Sequence, residues 1–282
     1  MKLLPYAALA ALGAAGVGGW YRFGNLKPRT LREYLEWQGL RLISDSESNY
    51  WKAVIEENKE LVGELKLDAS GVKEWCKSHM DSEQYEDIKS SALLLCVDNP
   101  KTVKARIIQL DGGTHKLING DNADKQYKVS YVFRKHIEGF NALIGYSPKV
   151  GKDGKEEIDL ESASKAFKEW CINSLEKAID EMLVLNIREL CTPKKFSTVK
   201  EYLNDKTLLT EPGQESELET VHNKIKDFAS YKADIQQEGK DELKKWCENN
   251  LKEEFSKDLS VFEETLPKVI SRCVKGSQAT EQ

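Results

Sequence analysis

The sequence predicts a mainly α-helical protein made of three tandem small helical modules behind an N-terminal membrane segment. Three observations support this prediction: a Trp-Cys dipeptide that occurs three times, a threonine-led motif that recurs in step with it, and an uncharged stretch near the N-terminus. Three such dipeptides in 282 residues indicate an internal repeat, because Trp and Cys are both rare.

Each Trp-Cys dipeptide follows a charged pair and has an apolar residue four positions before the cysteine. Apolar residues at this spacing lie on one face of an α-helix, and the Lys and Glu residues between them suit a solvated face. We therefore expect each Trp-Cys edge to pack inside its own module. The predicted repeat core consists of Val72, Trp75, Cys76, Phe167, Trp170, Cys171, Leu243, Trp246 and Cys247.

A threonine begins the front of each module, in the runs Thr30 to Leu35, Thr102 to Ile107 and Thr198 to Leu203. Because a threonine hydroxyl can accept a hydrogen bond from an amide of the first helical turn, each run predicts a short helix. Counting from the threonines gives modules at 30–101, 102–197 and 198–277. A further amphipathic helix is predicted in each module, at 50–62, 131–144 and 218–231.

The second module carries an extra stretch, residues 146–159, rich in Pro, Gly and charged residues. It predicts a surface loop insertion. The evidence for strands is confined to the same module, where residues 105–110 and 128–133 are candidates for a minor β-hairpin.

Residues Leu3 to Tyr21 carry no charge and follow Lys2. At about 1.5 Å per residue this segment is just long enough to cross the hydrocarbon core of a bilayer. Residues 1–22 are therefore interpreted as a transmembrane anchor. A cleaved secretory signal is the alternative, because small residues stand where a signal peptidase would cut.

The orientation of the body follows from two opposing patterns. Basic residues just after the segment, Arg22, Lys27, Arg29 and Arg32, favour a cytoplasmic body. A short N-terminal tail before a large hydrophilic domain is instead typical of an exported signal anchor. We expect a single-pass protein of the cell membrane with an extracellular body, and a scaffold on the cytoplasmic face is the alternative.

Six cysteines occur as two per module, and the candidate disulfides are Cys76–Cys96, Cys171–Cys191 and Cys247–Cys273. Local pairs of this kind favour an oxidising compartment. Residues 172–190 contain no Gly or Pro and read as one continuous helix, which would separate Cys171 and Cys191 by about 30 Å. A disulfide needs Cα atoms within roughly 7 Å, so reduced, buried cysteines are the alternative.

Charge and composition argue against several functions. The formal charge is −5 and the lysines are interleaved with glutamates, which disfavours nucleic acid as a partner. His79 lies three residues after Cys76, but Ser174 and Asn250 stand at the equivalent positions, so no recurring metal site is predicted. We find no catalytic constellation and expect no cofactor. A membrane-tethered hydrolase, with the charged loop of the second module beside its site, is the enzymatic alternative.

The N-terminal apolar segment after a single lysine, the run Thr198 to Leu203 and the run Leu243 to Leu251 together resemble the large paralogous families of uncharacterised proteins in haemotropic mycoplasmas. The resemblance extends over nearly the whole chain. It implies membrane-tethered paralogues that serve surface display, host contact or antigenic variation. The expected function is a surface-displayed repeat protein with an interaction or antigenic surface, and the expected partners are the membrane and a host or self protein.

Overall fold

A computed structural model describes residues 27–152, 154, 156–236 and 239–277. The fold is mainly helical, as predicted. Its contacts divide the chain into two compact units, with the division between Gly113 and Thr114. The predicted membrane segment, Leu3 to Tyr21, lies outside the described residues. Within the part of the chain that the structure describes, no helix combines the length and apolar character needed to cross a bilayer.

The first unit consists of six α-helices among its described residues 27–113. In chain order they are α1 (Leu31–Trp37), α2 (Ser48–Glu57), α3 (Lys59–Glu64), α4 (Ala69–His79), α5 (Lys89–Leu95) and α6 (Val103–Asp111). Helices α2, α4 and α5 pack against one another. The core between them is apolar and includes Leu31, Leu35, Trp51, Val72 and Leu95.

Helix α6 belongs to this first unit although the sequence predicts it at the front of the second module. It packs along α2, where Ala53 meets Ala105 and Ile108. The carboxylate of Glu57 accepts hydrogen bonds from the backbone N–H groups of Lys101 and Thr102, the latter at 2.8 Å. The compact units therefore divide twelve residues after the predicted boundary at 101/102. The division into three modules stays a prediction of the sequence.

The second unit begins with α7 (Ala123–Val132) and α8 (Phe140–Leu143), followed by a two-stranded hairpin and seven further helices among the described residues. These are α9 (Leu160–Leu175), α10 (Glu181–Leu190), α11 (Val199–Tyr202), α12 (Glu215–Ile225), α13 (Ala229–Asp234), α14 (Lys240–Asn250) and α15 (Leu266–Cys273), and a π-helical turn, Val261–Thr265, leads into α15. Helix α7 packs on α9, and α12, α14 and α15 surround a shared apolar core.

The threonine caps are confirmed at all three front helices. The hydroxyl groups of Thr30, Thr102 and Thr198 accept hydrogen bonds from backbone N–H groups three residues on, at 3.3, 3.1 and 3.2 Å. At Thr198 the Glu201 side chain also accepts from the backbone of the cap, which completes a capping box. The threonine-led motif therefore predicted correctly the residue at which each of these three helices begins.

The position predicted for the β-hairpin is wrong. Residues 105–110 and 128–133 lie in or directly after helices α6 and α7, whereas the observed antiparallel hairpin pairs Lys149–Val150 with Glu156–Glu157 inside the 146–159 insertion. In α7 the consecutive residues Val129, Ser130, Tyr131 and Val132 are all buried. Because this helix is buried on several sides, the alternation of residue types over 128–133 does not indicate a β-strand. The helix predicted at 131–144 is likewise interrupted, by residues 133–139.

Candidate functional site

All six cysteines are joined in the three predicted pairs, Cys76–Cys96, Cys171–Cys191 and Cys247–Cys273. Their Cα atoms are 5.6, 5.9 and 5.7 Å apart, and all six residues are buried. In each pair the backbone carbonyl of the second cysteine accepts a hydrogen bond from a buried apolar residue. The donors are Ile43, Ile118 and Leu209, at 3.1, 2.8 and 2.8 Å.

The continuous helix expected over residues 172–190 is a wrong prediction. Helix α9 ends at Leu175, and α10 starts after Asp180, whose carboxylate accepts hydrogen bonds from the backbone of Met182 and Leu183. The chain therefore turns back and brings Cys191 to Cys171. An aspartate placed before Glu181 is an ordinary helix-start signal, and it marks this turn without Gly or Pro.

The predicted repeat core is only partly buried at its Trp positions. Val72, Phe167 and Leu243 are fully covered, as are their cysteines. The three Trp residues, Trp75, Trp170 and Trp246, are half-buried. The cysteine is thus buried in the protein interior, while the indole lies at the edge of the protein surface.

A cavity of about 210 Å³ lies beside the first disulfide. Its lining combines the disulfide and apolar side chains with charged and polar side chains. It is lined by Arg32, Leu42, Ile43, Ser44, Asp45, Trp51, Lys73, Cys76, Lys77, Met80 and Cys96.

Two sets of backbone contacts build this cavity. At one end, the amides of Leu31 and Arg32 donate to the carbonyls of Ser82 and Met80, at 3.1 and 2.9 Å. These bonds hold the start of α1 against the chain that leaves α4. At the other end, the segment containing Leu42 pairs with the segment after α5, through an isolated antiparallel bridge between Leu42 and Val97.

Arg41 holds the loop that forms one wall of the first cavity. Its guanidinium donates to both carboxylate oxygens of Glu47 at 2.8 Å and to Asp98 at 2.7 Å. These hydrogen bonds raise the pKa of Arg41 and lower the pKa of Glu47. The Glu47 carboxylate also accepts from the Ser44 amide at 2.8 Å, and the Trp51 indole N–H donates to the Ser44 carbonyl at 2.9 Å. These hydrogen bonds together hold the Ser44 backbone, which lines the cavity, against Glu47 and Trp51.

Three cationic side chains surround the mouth of the first cavity. Arg32 faces Asp81 at 3.5 Å and Lys77 faces Asp45 at 3.4 Å, and both ion pairs are exposed. The ammonium of Lys73 lies 5.9 Å from the centre of the Trp51 ring. Among the described residues no carboxylate lies within salt-bridge distance of Lys73.

The second unit contains a cavity of about 400 Å³ built by the same backbone contacts. The amides of Val199 and Lys200 donate to the carbonyls of Glu253 and Leu251 at 3.0 and 2.9 Å. Leu208 forms an isolated antiparallel bridge with Val274, as Leu42 does with Val97. The cavity is lined by Lys200, Leu208, Thr210, Glu211, Pro212, Glu248, Leu251 and Lys252.

The charges at this second cavity balance. Lys200 and Lys252 offset Glu211 and Glu248, and in the described part of the chain none of the four makes an ion pair. Glu248 follows Cys247 directly, as Lys77 follows Cys76. The two cavities thus carry opposite charges at the position next to the first cysteine.

A partly buried cluster of titratable groups in the second unit lies between α13 and α15. Arg272, which is 5% exposed, donates to Asp234 at 2.7 Å and packs against the rings of Trp246 and Tyr231. Burial alone would raise the pKa of Asp234, but hydrogen bonds from Lys268 and Arg272 outweigh it and hold that pKa below its ordinary value. Every charge in this cluster has a partner, so it stabilises the unit and offers no free acid or base.

A second buried cation serves a similar structural purpose. Arg134 donates to the backbone carbonyls of Ser130, Glu189 and Thr192, at 3.1 to 3.3 Å. Two of these carbonyls lie at or just beyond the C-terminal end of α10, where a cation is favoured. Burial lowers the pKa of Arg134.

His79 lies apart from any metal-like cluster. Its Nδ1 atom is 2.7 Å from the backbone carbonyl of Trp75, and its ring lies beside the Trp75 indole. Within the described residues no group of three or more His, Cys, Asp or Glu side chains could hold a metal ion.

The sequence did not identify the cavities as sites. Arg32, Lys73 and Lys77 come from two separate helices, and only the fold brings them together. No family model, curated protein or solved structure matches the chain.

Proposed function

We propose that this chain is an exported, membrane-attached surface protein whose helical modules form an interaction surface and carry out no reaction. The observation that carries this proposal is the pairing of all six cysteines in three local disulfides. Disulfides of this kind persist in oxidising compartments and are rare where thiols are kept reduced. Attachment through Leu3 to Tyr21 and the resemblance to surface protein families are parts of the same proposal.

The two cavities support a recognition role. Their backbone contacts match position by position, whereas their side chains differ in charge and size. A scaffold that keeps its backbone while its lining residues vary is typical of proteins that present different surfaces to different partners. We further propose that the modules descend from one duplicated helical unit.

Thiol counting on the full chain tests the compartment. Protein isolated from its own cells is denatured and alkylated without a reductant, and then its mass is compared with a reduced sample. We expect no adduct before reduction and six afterwards. Six adducts without reduction would refute export and favour a cytoplasmic scaffold.

Protease treatment of intact cells tests the exposure of the body. We expect the region after residue 27 to be cut in intact cells, while a cytoplasmic marker protein survives until the cells are lysed. Survival of the body in intact cells, when other surface proteins are cut, would contradict the proposal. Neither experiment depends on the identity of a ligand.

A further inference from the structure

We infer that the cavity beside the Cys76–Cys96 disulfide binds a carboxylate carried on a short apolar stem, as the side chain of a glutamate in a partner polypeptide provides. The assignment to a polypeptide rests on the proposed interaction function. The assignment to a carboxylate rests on the cavity itself.

The charge at the cavity favours an anion. Arg32, Lys73 and Lys77 supply three cationic groups, and Asp45 is the one carboxylate among the lining residues that the structure describes. Lys73 has no carboxylate partner among the described residues. The ion pairs of Arg32 and Lys77 are 3.5 and 3.4 Å long and solvent-exposed, so they stabilise little and can be exchanged for a ligand.

The wall of the cavity suits an apolar stem. Trp51 and Met80 are buried, Leu42 is half-buried, and the disulfide lines the same cavity. At about 210 Å³ the cavity is smaller than the roughly 300 to 1,000 Å³ of pockets that enclose a whole small molecule. It therefore fits one side chain better than a complete metabolite.

The cavity of the second unit serves as an internal control. The same backbone contacts form it, but Glu248 replaces the cation next to the cysteine and the lining charges cancel. An anion would meet two carboxylates there. We expect carboxylate binding at the first cavity and none at the second.

The test is an NMR titration of the full chain, in detergent micelles, with the peptide Ac-Gly-Glu-Gly-amide and its neutral match Ac-Gly-Gln-Gly-amide. We expect the glutamate peptide to shift the Trp51 indole N–H and the backbone amides of Ser44 and Lys77, and the glutamine peptide to leave them unchanged. Lys73→Gln should weaken binding about tenfold, because one charge-assisted hydrogen bond is lost. Lys244→Gln, at the matching position three residues before Cys247, is the control and should leave binding unchanged.

Two further probes separate the sources of the anion. Butyrate carries the carboxylate and stem without a peptide, and inorganic phosphate carries charge without a stem. Butyrate binding as tightly as the glutamate peptide would overturn the assignment to a polypeptide. Phosphate binding at least as tightly as butyrate, equal shifts by the two peptides, or equal losses in Lys73→Gln and Lys244→Gln would overturn carboxylate recognition. The thiol and protease results would stand in each case.

Discussion

The two cavities differ in their side chains and agree in their backbones. In both, backbone hydrogen bonds join the start of a threonine-capped helix to the chain that follows a Trp-Cys helix. In both, an isolated antiparallel β-bridge involves the residue after the second cysteine of the disulfide. Lys77 at the first corresponds to Glu248 at the second, and Trp51 lines the first, whereas no aromatic residue is found among the described residues that line the second. Matching backbone contacts therefore form a concave site in both units without determining the chemistry of its lining.

The two units also differ in the side-chain contacts that join separate chain segments. In the first, Arg41 ties a loop to Glu47 and Asp98. In the second, an aromatic cluster links the end of α7 to the helices that follow, with Phe133 4.9 Å from Phe255 and 4.7 Å from Phe262. These aromatic contacts help to join the segments that carry Cys171–Cys191 and Cys247–Cys273 in one compact unit.

Truncation of a ring in the aromatic cluster should destabilise the protein most. Phe255→Ala removes a fully buried ring and should lower the free energy of unfolding of the second unit by about 3 to 5 kcal/mol. Tyr85→Ala is the matched change in the first unit, where Tyr85 packs on Tyr34. In peptide-resolved hydrogen exchange, Phe255→Ala should speed amide exchange on both sides of Phe196. Tyr85→Ala should speed amide exchange only within residues 27–113. Equal loosening of both units by either variant would break the comparison.

Removal of the matched disulfides should give the next largest effect. The Cys76–Cys96 and Cys247–Cys273 pairs close chain segments of 20 and 26 residues. By the chain-entropy account, replacing either pair with alanines should cost its own unit about 3 kcal/mol. Denaturant unfolding followed by hydrogen exchange measures each loss. A loss below about 1 kcal/mol at one pair would show that the two frameworks are not equivalent.

A smaller, pH-dependent effect is expected at Asp234. Asp234→Asn leaves buried Arg272 without its carboxylate and should cost about 1 to 3 kcal/mol at pH 6. Because the folded pKa of Asp234 lies below its ordinary value of 3.8, its contribution is present above that value and is lost as the pH falls through the folded pKa. The difference in Tm between wild type and Asp234→Asn should therefore shrink in acid. A difference that stays constant down to pH 2 would contradict this assignment.

A change at the second cavity tests directly whether the charge next to the first cysteine determines binding. Glu248→Lys gives the second cavity the cation that Lys77 provides at the first. We expect this variant to bind the glutamate peptide at the second cavity, where the wild type should show no binding, because a charge-assisted hydrogen bond is gained. Glu219→Lys, on the exposed face of α12, controls for a general rise in positive charge. An equal gain in both variants would indicate non-specific attraction.

Local patterns predicted the parts of the fold that depend on local contacts. A threonine before an apolar run marked all three front helices, and the spacing of Val72 and Cys76 marked a helix that is present. Asp180 carried the signal for the turn between α9 and α10, but the absence of Gly and Pro concealed it. Tyr131 and its neighbours were misjudged as a strand because burial on several sides removes the helical period.

The candidate site depends on contacts between distant segments, which a single sequence does not reveal. Arg32 and Lys73 lie 41 positions apart in the chain, and the cavity between them exists only once α1 docks on the end of α4. The position of Trp51 against Ser44 likewise depends on the Arg41 clamp. The sequence therefore predicted the three cysteine pairs but not the grouping of Arg32, Lys73 and Lys77 at the cavity beside the first pair.

The docking of α6 on α2 has a genetic consequence. A recombination junction at residue 101 would separate the first unit from α6, the helix that covers Ala53. It would also remove the Lys101 and Thr102 amides that donate hydrogen bonds to the Glu57 carboxylate. A junction at Gly113 would keep these contacts intact. A chimaera joined at codon 113 should therefore be more stable than one joined at codon 101, and the Tm of the two chimaeras measures the difference.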